Sequence, residues 1–243
     1  MRIVLSLDSW PALRDFAGSD RDELAAAASL AELAGVDALR LSVNEDLVPV
    51  RESDVDTLRR AARAFELRMP ISQALLKVPL AARPDRVVLV GARYEATGSA
   101  PPVDARTSGP VLGSVLRGLE EAGIPASVRV APELDAVRAV HAQGVSDVEL
   151  FTGHLVDLPD AERRGALVAL GDAVRLASKL RLGIAVAGGL DDRSVGEVLA
   201  AAPSAERVVF GRSLARRALL VGLDRAVRDF SQRMNDRPSD RLR

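Results

Sequence analysis

The chain has 243 residues, 48% of them hydrophobic, enough for one large core and compatible with a single α/β barrel. Thirty-three basic residues against 34 acidic ones leave a formal net charge of −1, which gives no electrostatic footprint for nucleic acid or an anionic membrane surface. Cysteine is absent, which excludes disulfides, thiolate catalysis and any Cys-ligated zinc or iron–sulfur site.

Met1 leads directly into Arg2-Ile3-Val4-Leu5-Ser6-Leu7-Asp8, too short and too soon polar for a signal peptide or a membrane span, so a soluble, cytoplasmic protein is expected. Short β-branched runs then alternate with longer Ala/Leu/Arg stretches of helical period. Strands are predicted at about 2–8, 37–43, 68–72, 86–91, 125–130, 147–151, 182–186 and 206–210. Helices are predicted at about 20–34, 54–67, 108–122, 132–143, 160–180, 191–202 and 212–234, with only Gln73 to Leu80 left for the third unit. Eight such units predict a closed (β/α)8 TIM barrel forming one domain over 1–234, followed by a frayed polar tail at 235–243.

Helix starts carry the expected residues: Ser19/Asp20, Ser53 before Asp54, and Pro132-Glu133. Gly35, Gly123 and Gly144 stand where helices should close before the next strand. Gly98 to Pro110, rich in Gly, Ser and Pro, reads as a long loop after strand four on the face where barrel active sites lie.

Strands seven and eight both run into glycine, as Val186-Ala187-Gly188-Gly189 and Phe210-Gly211-Arg212-Ser213. At this pair of strands, backbone N–H groups and a helix N-terminus can converge on an anion, and glycine lets it approach the main chain. A phosphate site is therefore expected at Gly188, Gly189, Gly211, Arg212 and Ser213, with a phosphorylated small molecule as ligand. The alternative is that these glycines only turn strands into helices.

Several pieces, in order, resemble the pyridoxine 5′-phosphate synthase family of vitamin B6 biosynthesis. Ser6-Leu7-Asp8-Ser9 with Leu13-Arg14 looks like that family's Asn-x-Asp-His and Leu-Arg, and Ala31-Glu32-Leu33-Ala34-Gly35-Val36-Asp37 like its Ala-Glu-x-Ala-Gly-Ala-Asp. Glu45-Asp46 keeps part of a His-x-Arg-Glu-Asp segment, Glu149-Leu150-Phe151-Thr152-Gly153 matches Glu-x-His-Thr-Gly, and Gly188-Gly189-Leu190 matches His-Gly-Leu. Gly211-Arg212 and Gly222-Leu223 stand where the family has Gly-His and Gly-Leu.

The resemblance implies a barrel enzyme that condenses an amino-ketone phosphate with deoxyxylulose phosphate. Its acid/base residues do not carry over. Family histidines fall on Ser9, Ser42, Pro49 and Gly188, an arginine on Asn44, and the strand-three glutamate on Ser72. Ring closure needs repeated proton transfers near neutral pH, which serine, proline and glycine do not supply. The expectation is that the parent activity is lost or changed.

What survives can bind and orient a substrate: Asp8, Arg14, Glu45, Thr152 and Gly153. Asp8, Glu149 and His154 are the candidates for any remaining catalysis. Glu149 reads either as a polar site residue or as a barrel-interior carboxylate held by Arg14 or Arg40, and His154 either as a relocated acid/base or as an exposed loop residue. Arg93 could reach a second phosphate. No histidine pair or close carboxylate cluster is visible, so no metal or other cofactor is expected.

Ala/Leu-rich helix faces, together with the dimers from which the family assembles, imply a homo-oligomer. Two other readings remain: a non-catalytic structural or regulatory homologue, and a residual synthase. The hexulose-phosphate synthase and orotidylate decarboxylase group is suggested only by Leu5-Ser6-Leu7-Asp8 and Val186-Ala187-Gly188-Gly189, and its Asp-x-Lys-x-x-Asp signature is missing.

Overall fold

The computed structural model describes residues 1–11, 23–46, 50–91, 100–155 and 158–235. Eight parallel strands follow one another around a closed barrel: β1 (Arg2–Ser6), β2 (Ala38–Ser42), β3 (Phe65–Pro70), β4 (Arg86–Val90), β5 (Ala126–Val130), β6 (Asp147–Phe151), β7 (Gly183–Ala187) and β8 (Arg207–Phe210). Closure is made by β8 lying beside β1, with Arg2 opposite Arg207 and Leu5 opposite Phe210. The helices outside are α1 (Glu23–Leu33), α2 (Glu52–Ala61), α3 (Lys77–Ala82, after a 3₁₀ turn at Ala74–Leu76), α4 (Ala105–Glu121), α5 (Leu134–His141), α6 (Asp160–Lys179), α7 (Val195–Ala201), α8 (Arg212–Val221) and α9 (Leu223–Asn235). This is the (β/α)8 TIM barrel the alternation predicts.

Each strand alternates with period two, and the two sets face different environments. Ile3, Leu5, Leu39, Leu41, Phe65, Leu67, Met69, Leu89, Val128 and Leu150 belong to the main core with Leu58, Val115, Leu119, Val174 and Leu214 of the helices. Burying one such side chain is worth about 1.5–3 kcal/mol. Phe210 meets Phe230 of α9 edge to face with centroids 4.8 Å apart. The interior is only partly apolar: Val4, Ala187 and Val209 form one small cluster, and Val88, Val90 and Ala100 another.

Gly35, Gly123 and Gly144 have φ of 105°, 69° and 82°, the left-handed conformation expected of residues closing a helix. Asp104 caps α4 by accepting from the Arg106 N–H at 3.0 Å. The Asp54 carboxylate accepts from the Arg51 N–H at 2.8 Å, which sets the start of α2.

Three boundaries differ from the sequence expectation. The helix expected to run to 67 ends at Ala61, and β3 covers Phe65–Pro70 rather than 68–72. Phe65, Leu67 and Met69 are one face of a strand, and the first two belong to it rather than to the end of the preceding helix. The helix expected over 212–234 is two helices, because Gly222 with φ of 85° closes α8 before α9 begins. The loop expected from Gly98 to Pro110 ends at Asp104; its first two residues, like Arg93, lie outside the described residues. The tail from 236 onward also lies outside them.

Candidate active site

Alternate interior positions of β2, β3, β4, β5, β6 and β8 carry charge, and together they form a ladder of ion pairs along the barrel axis. At the end where the strands begin, Asp147 faces Arg207 at 2.5 Å and Arg86 at 2.9 Å, and Arg86 lies 3.6 Å from Glu66. A side chain at Gly183 would collide with the Asp147 carboxylate, so the glycine opening β7 makes room for it. One step higher, Arg40 bonds Glu66 at 2.6 Å and meets Glu149 at the same separation. Arg129 then binds Glu149 from the other side, at 2.8 Å through Nε and 2.7 Å through Nη2. Arg40, Arg129 and Glu149 are fully enclosed, and charges so removed from water require partners of this kind.

Burial by itself would push the Glu149 carboxyl up, but the Arg40 and Arg129 guanidiniums outweigh it and hold the group at about 2. Burial pushes Arg129 down to about 10, and the neighbouring Arg68 and Arg40 charges add to this against the pull of Glu149. For Arg40 burial also opposes the charge, yet two carboxylates flank it and the net displacement is upward. Glu149 is thus the barrel-interior carboxylate of the two readings considered above, and Arg40 is one holder. Its other holder, Arg129, was not foreseen.

At the mouth, Asp8 takes hydrogen bonds from Ser6 Oγ (2.6 Å), Ser42 N (2.6 Å), Ser42 Oγ (2.8 Å) and Arg68 Nη2 (2.8 Å). Ser42 Oγ in turn accepts from Arg68 Nε at 2.7 Å. Asp8, 27% exposed, is therefore an acceptor whose oxygens are already engaged. Ser72 lies beyond the end of β3, where it donates to Glu45 Oε1 at 2.8 Å on the rim. The last charged residue that β3 sends into the barrel is Arg68, so a cation stands in the mouth where β3 ends.

Thr152 is buried, and its hydroxyl donates to the Gly188 carbonyl at 2.7 Å while its N–H bonds Ala187 O at 2.8 Å, which locks the ends of β6 and β7 together. The partly exposed Phe151 lies with its ring centroid 5.4 Å from the Arg129 guanidinium carbon. Gly188 and Gly189 follow β7 with φ of 106° and 64°, and Gly211 is the cap residue of α8. Ser213 donates its hydroxyl to Leu190 O, so the turn after β7 is tied to the first turn of α8.

Arg212 lines a groove of about 570 Å³ between α1 and α8, together with Ser9, Trp10 and Leu219, on the outer side of the barrel wall. His154 is exposed, its ring 6.2 Å from that of Phe151, and His141 ends α5 at the opposite end of the barrel. Arg14 and Pro49 lie outside the described residues. Among the described residues no group of three or more His, Asp or Glu could hold a metal ion, and no helix is long and apolar enough to cross a membrane.

Asp8, Ser42, Thr152, Gly153, Gly188, Gly189, Gly211 and Ser213 are thus gathered at one end of the barrel, with Glu45 on its rim and Glu149 below its floor. The signal for Arg68 and Arg129 was present: Glu66/Arg68 and Ser127/Arg129 are spaced by two in strands otherwise Val- and Leu-rich, which places them inside a barrel. This arrangement can bind and orient an anion. Proton abstraction has no free carboxylate or imidazole in the barrel interior among the described residues.

Solved structures with the same fold include thiamine phosphate pyrophosphorylase from Pyrococcus furiosus, at a TM-score of 0.60 and 13% identity over 97% of this chain and 96% of that one. Phosphoribosyl anthranilate isomerase from Thermus thermophilus gives 0.57 and 15%, with both chains covered in full. Pyridoxine 5′-phosphate synthase of Geobacter metallireducens is 31% identical over 231 residues, covering 94% of this chain and 96% of the relative. The enzyme of the same name from a Synechococcus species is 33% identical over 236 residues, covering 96% and 98%. The family model described as pyridoxal phosphate biosynthesis protein PdxJ matches residues 4–236, and the chain belongs to that family.

Proposed function

We propose that this barrel binds a phosphorylated small molecule at the ends of β7 and β8, and that the parent condensation has been lost or changed. The observation that carries the reading is the pairing of Gly188 and Gly189, both in left-handed backbone, with Gly211 at the start of α8, tied through Ser213 and Leu190. No side chain projects from these three positions. The first N–H groups of α8 lack intrahelical partners, and a helix N-terminus favours negative charge.

The loss of chemistry is supported by the mouth itself. The chain has two histidines, one exposed and one at the far end of the barrel. Asp8 and Glu149 are engaged by serine and arginine donors. Groups that act as a unit lose most of their activity when one member goes, and here several have gone together. A non-catalytic binding or regulatory role follows most directly from this set.

The apolar Leu30 and Leu33 of α1, with Leu219 and Leu220 of α8, are exposed and support a homo-oligomer. Titration calorimetry with inorganic phosphate tests the binding reading, with Gly211→Asp as the variant that places a carboxylate at the site. Weak binding to the native protein and none to the variant is expected. An assay with the amino-ketone phosphate and deoxyxylulose phosphate should give no pyridoxine phosphate, and turnover like that of a working family member would overturn the reading.

A further inference from the structure

Phe151, the last residue of β6, and Gly188, which follows β7 within the proposed phosphate site, are sterically coupled. A Cβ added at Gly188 would lie 2.7 Å from Phe151 Cε2 and 2.9 Å from Gly153 N. A Cβ at Gly153 would strike the tip of the same ring. The phenyl ring therefore occupies the volume that a side chain on residue 188 would need, immediately beside the glycines that follow β7. It is held there on three sides. Arg129 lies under it at 5.4 Å, the Gly153 backbone closes its tip and the Gly188 backbone its edge.

Arg129 is itself fixed, with Nε and Nη2 on Glu149 and Nη1 on Ala100 O at 2.7 Å. The ring thus lies over a guanidinium that the barrel's ion ladder holds in place. It remains partly exposed at the mouth.

We infer that Phe151 is the specificity-determining residue of this barrel, selecting phosphate monoesters whose first carbon carries a planar, apolar group over those of polyols. The inference rests on the phosphate reading given above. A ligand whose phosphate sits at Gly188, Gly189 and Gly211 has its next atoms beside the phenyl ring, where a planar group stacks. A hydroxylated chain there exchanges water for an apolar surface with no hydrogen-bond partner. The Arg129 cation beneath the ring keeps its orientation and polarises the face.

The test compares inorganic phosphate, benzyl phosphate and glycerol 3-phosphate by calorimetry on the native protein and on Phe151→Leu and Phe151→Tyr. The native protein should favour benzyl phosphate over glycerol 3-phosphate by roughly two- to ten-fold, the range that one aromatic contact supplies. Leucine, which keeps apolar volume, should remove the preference, tyrosine should retain it, and neither should alter inorganic phosphate binding. Equal affinities for the two esters with phosphate binding intact would overturn this inference alone. Absence of inorganic phosphate binding to the native protein would overturn the phosphate reading, and failure of both esters to bind would overturn the two together. A loss of inorganic phosphate affinity in Phe151→Leu would instead assign the ring a structural role and sink the inference.

Discussion

Replacing Glu149 with glutamine isolates the contribution of the ion ladder, because the amide keeps the shape and removes the charge. In the native protein the carboxylate meets Arg40 Nη1 at 2.6 Å and Arg129 Nε and Nη2 at 2.8 and 2.7 Å, with no exposure to solvent. Arg40 retains Glu66, but Arg129 loses the one carboxylate it meets among the described residues while Arg68 and Arg40 still repel it. Removing one partner of a buried ion pair costs about 3–5 kcal/mol, since the remaining charge is left uncompensated. For a chain of this size each kcal/mol moves the midpoint by about 2–4 °C, so Glu149→Gln should melt roughly 6–20 °C lower.

Thermal and urea unfolding followed by far-ultraviolet circular dichroism measure both quantities. The companion variant Arg129→Met/Glu149→Leu removes the pair together and leaves Arg40 bound to Glu66. It should lose less stability than Glu149→Gln, because apolar replacement of a whole pair leaves no unpaired charge. A cost below about 1 kcal/mol for Glu149→Gln, in the range of exposed ion pairs, would refute the reasoning.

Acid should reveal the same group. The Glu149 carboxyl is held at about 2 in the folded barrel against an ordinary value of 4.5, so its contribution is fully present above the unfolded value. That contribution should fade as pH falls from about 4.5 through about 2, and a stability profile in which Glu149→Gln shows the same slope as the native protein over this window would contradict it. Gly183→Ala should cost about 1–3 kcal/mol by forcing a methyl group into the Asp147 carboxylate, read as a lower urea midpoint. Asp8→Asn replaces an acceptor of four hydrogen bonds, including a charged one from Arg68; a loss of about 1–3 kcal/mol is expected, and unchanged unfolding would show that the mouth cluster is not held by Asp8. Leu219→Glu together with Leu220→Glu should shift the species seen by light scattering toward the monomer, as both side chains are more than 70% exposed in the isolated chain.

The chain alone determined the barrel, because that information is local. Apolar strands and segments of helical period alternate eight times, with Gly35, Gly123 and Gly144 closing three of the helices, and only one closed parallel architecture absorbs that alternation. The glycines after β7 and β8 were legible for the same reason, each being a property of one strand–helix turn. Where one element runs into the next the sequence was ambiguous: Phe65 and Leu67 could end a helix or open a strand, and pairing with β2 and β4 decided between them.

Tertiary structure alone decided which polar groups meet. Glu149 draws its partners from β2 and β5, Asp8 from β2 and β3, and Phe151 fills space at Gly188, just after β7. Such contacts arise when eight strands converge on one axis, so no spacing within a single segment encodes them. A buried charge also has no fixed meaning until its partner is known. The same glutamate that reads from sequence as a catalytic candidate becomes, between two enclosed arginines, part of the barrel's interior frame.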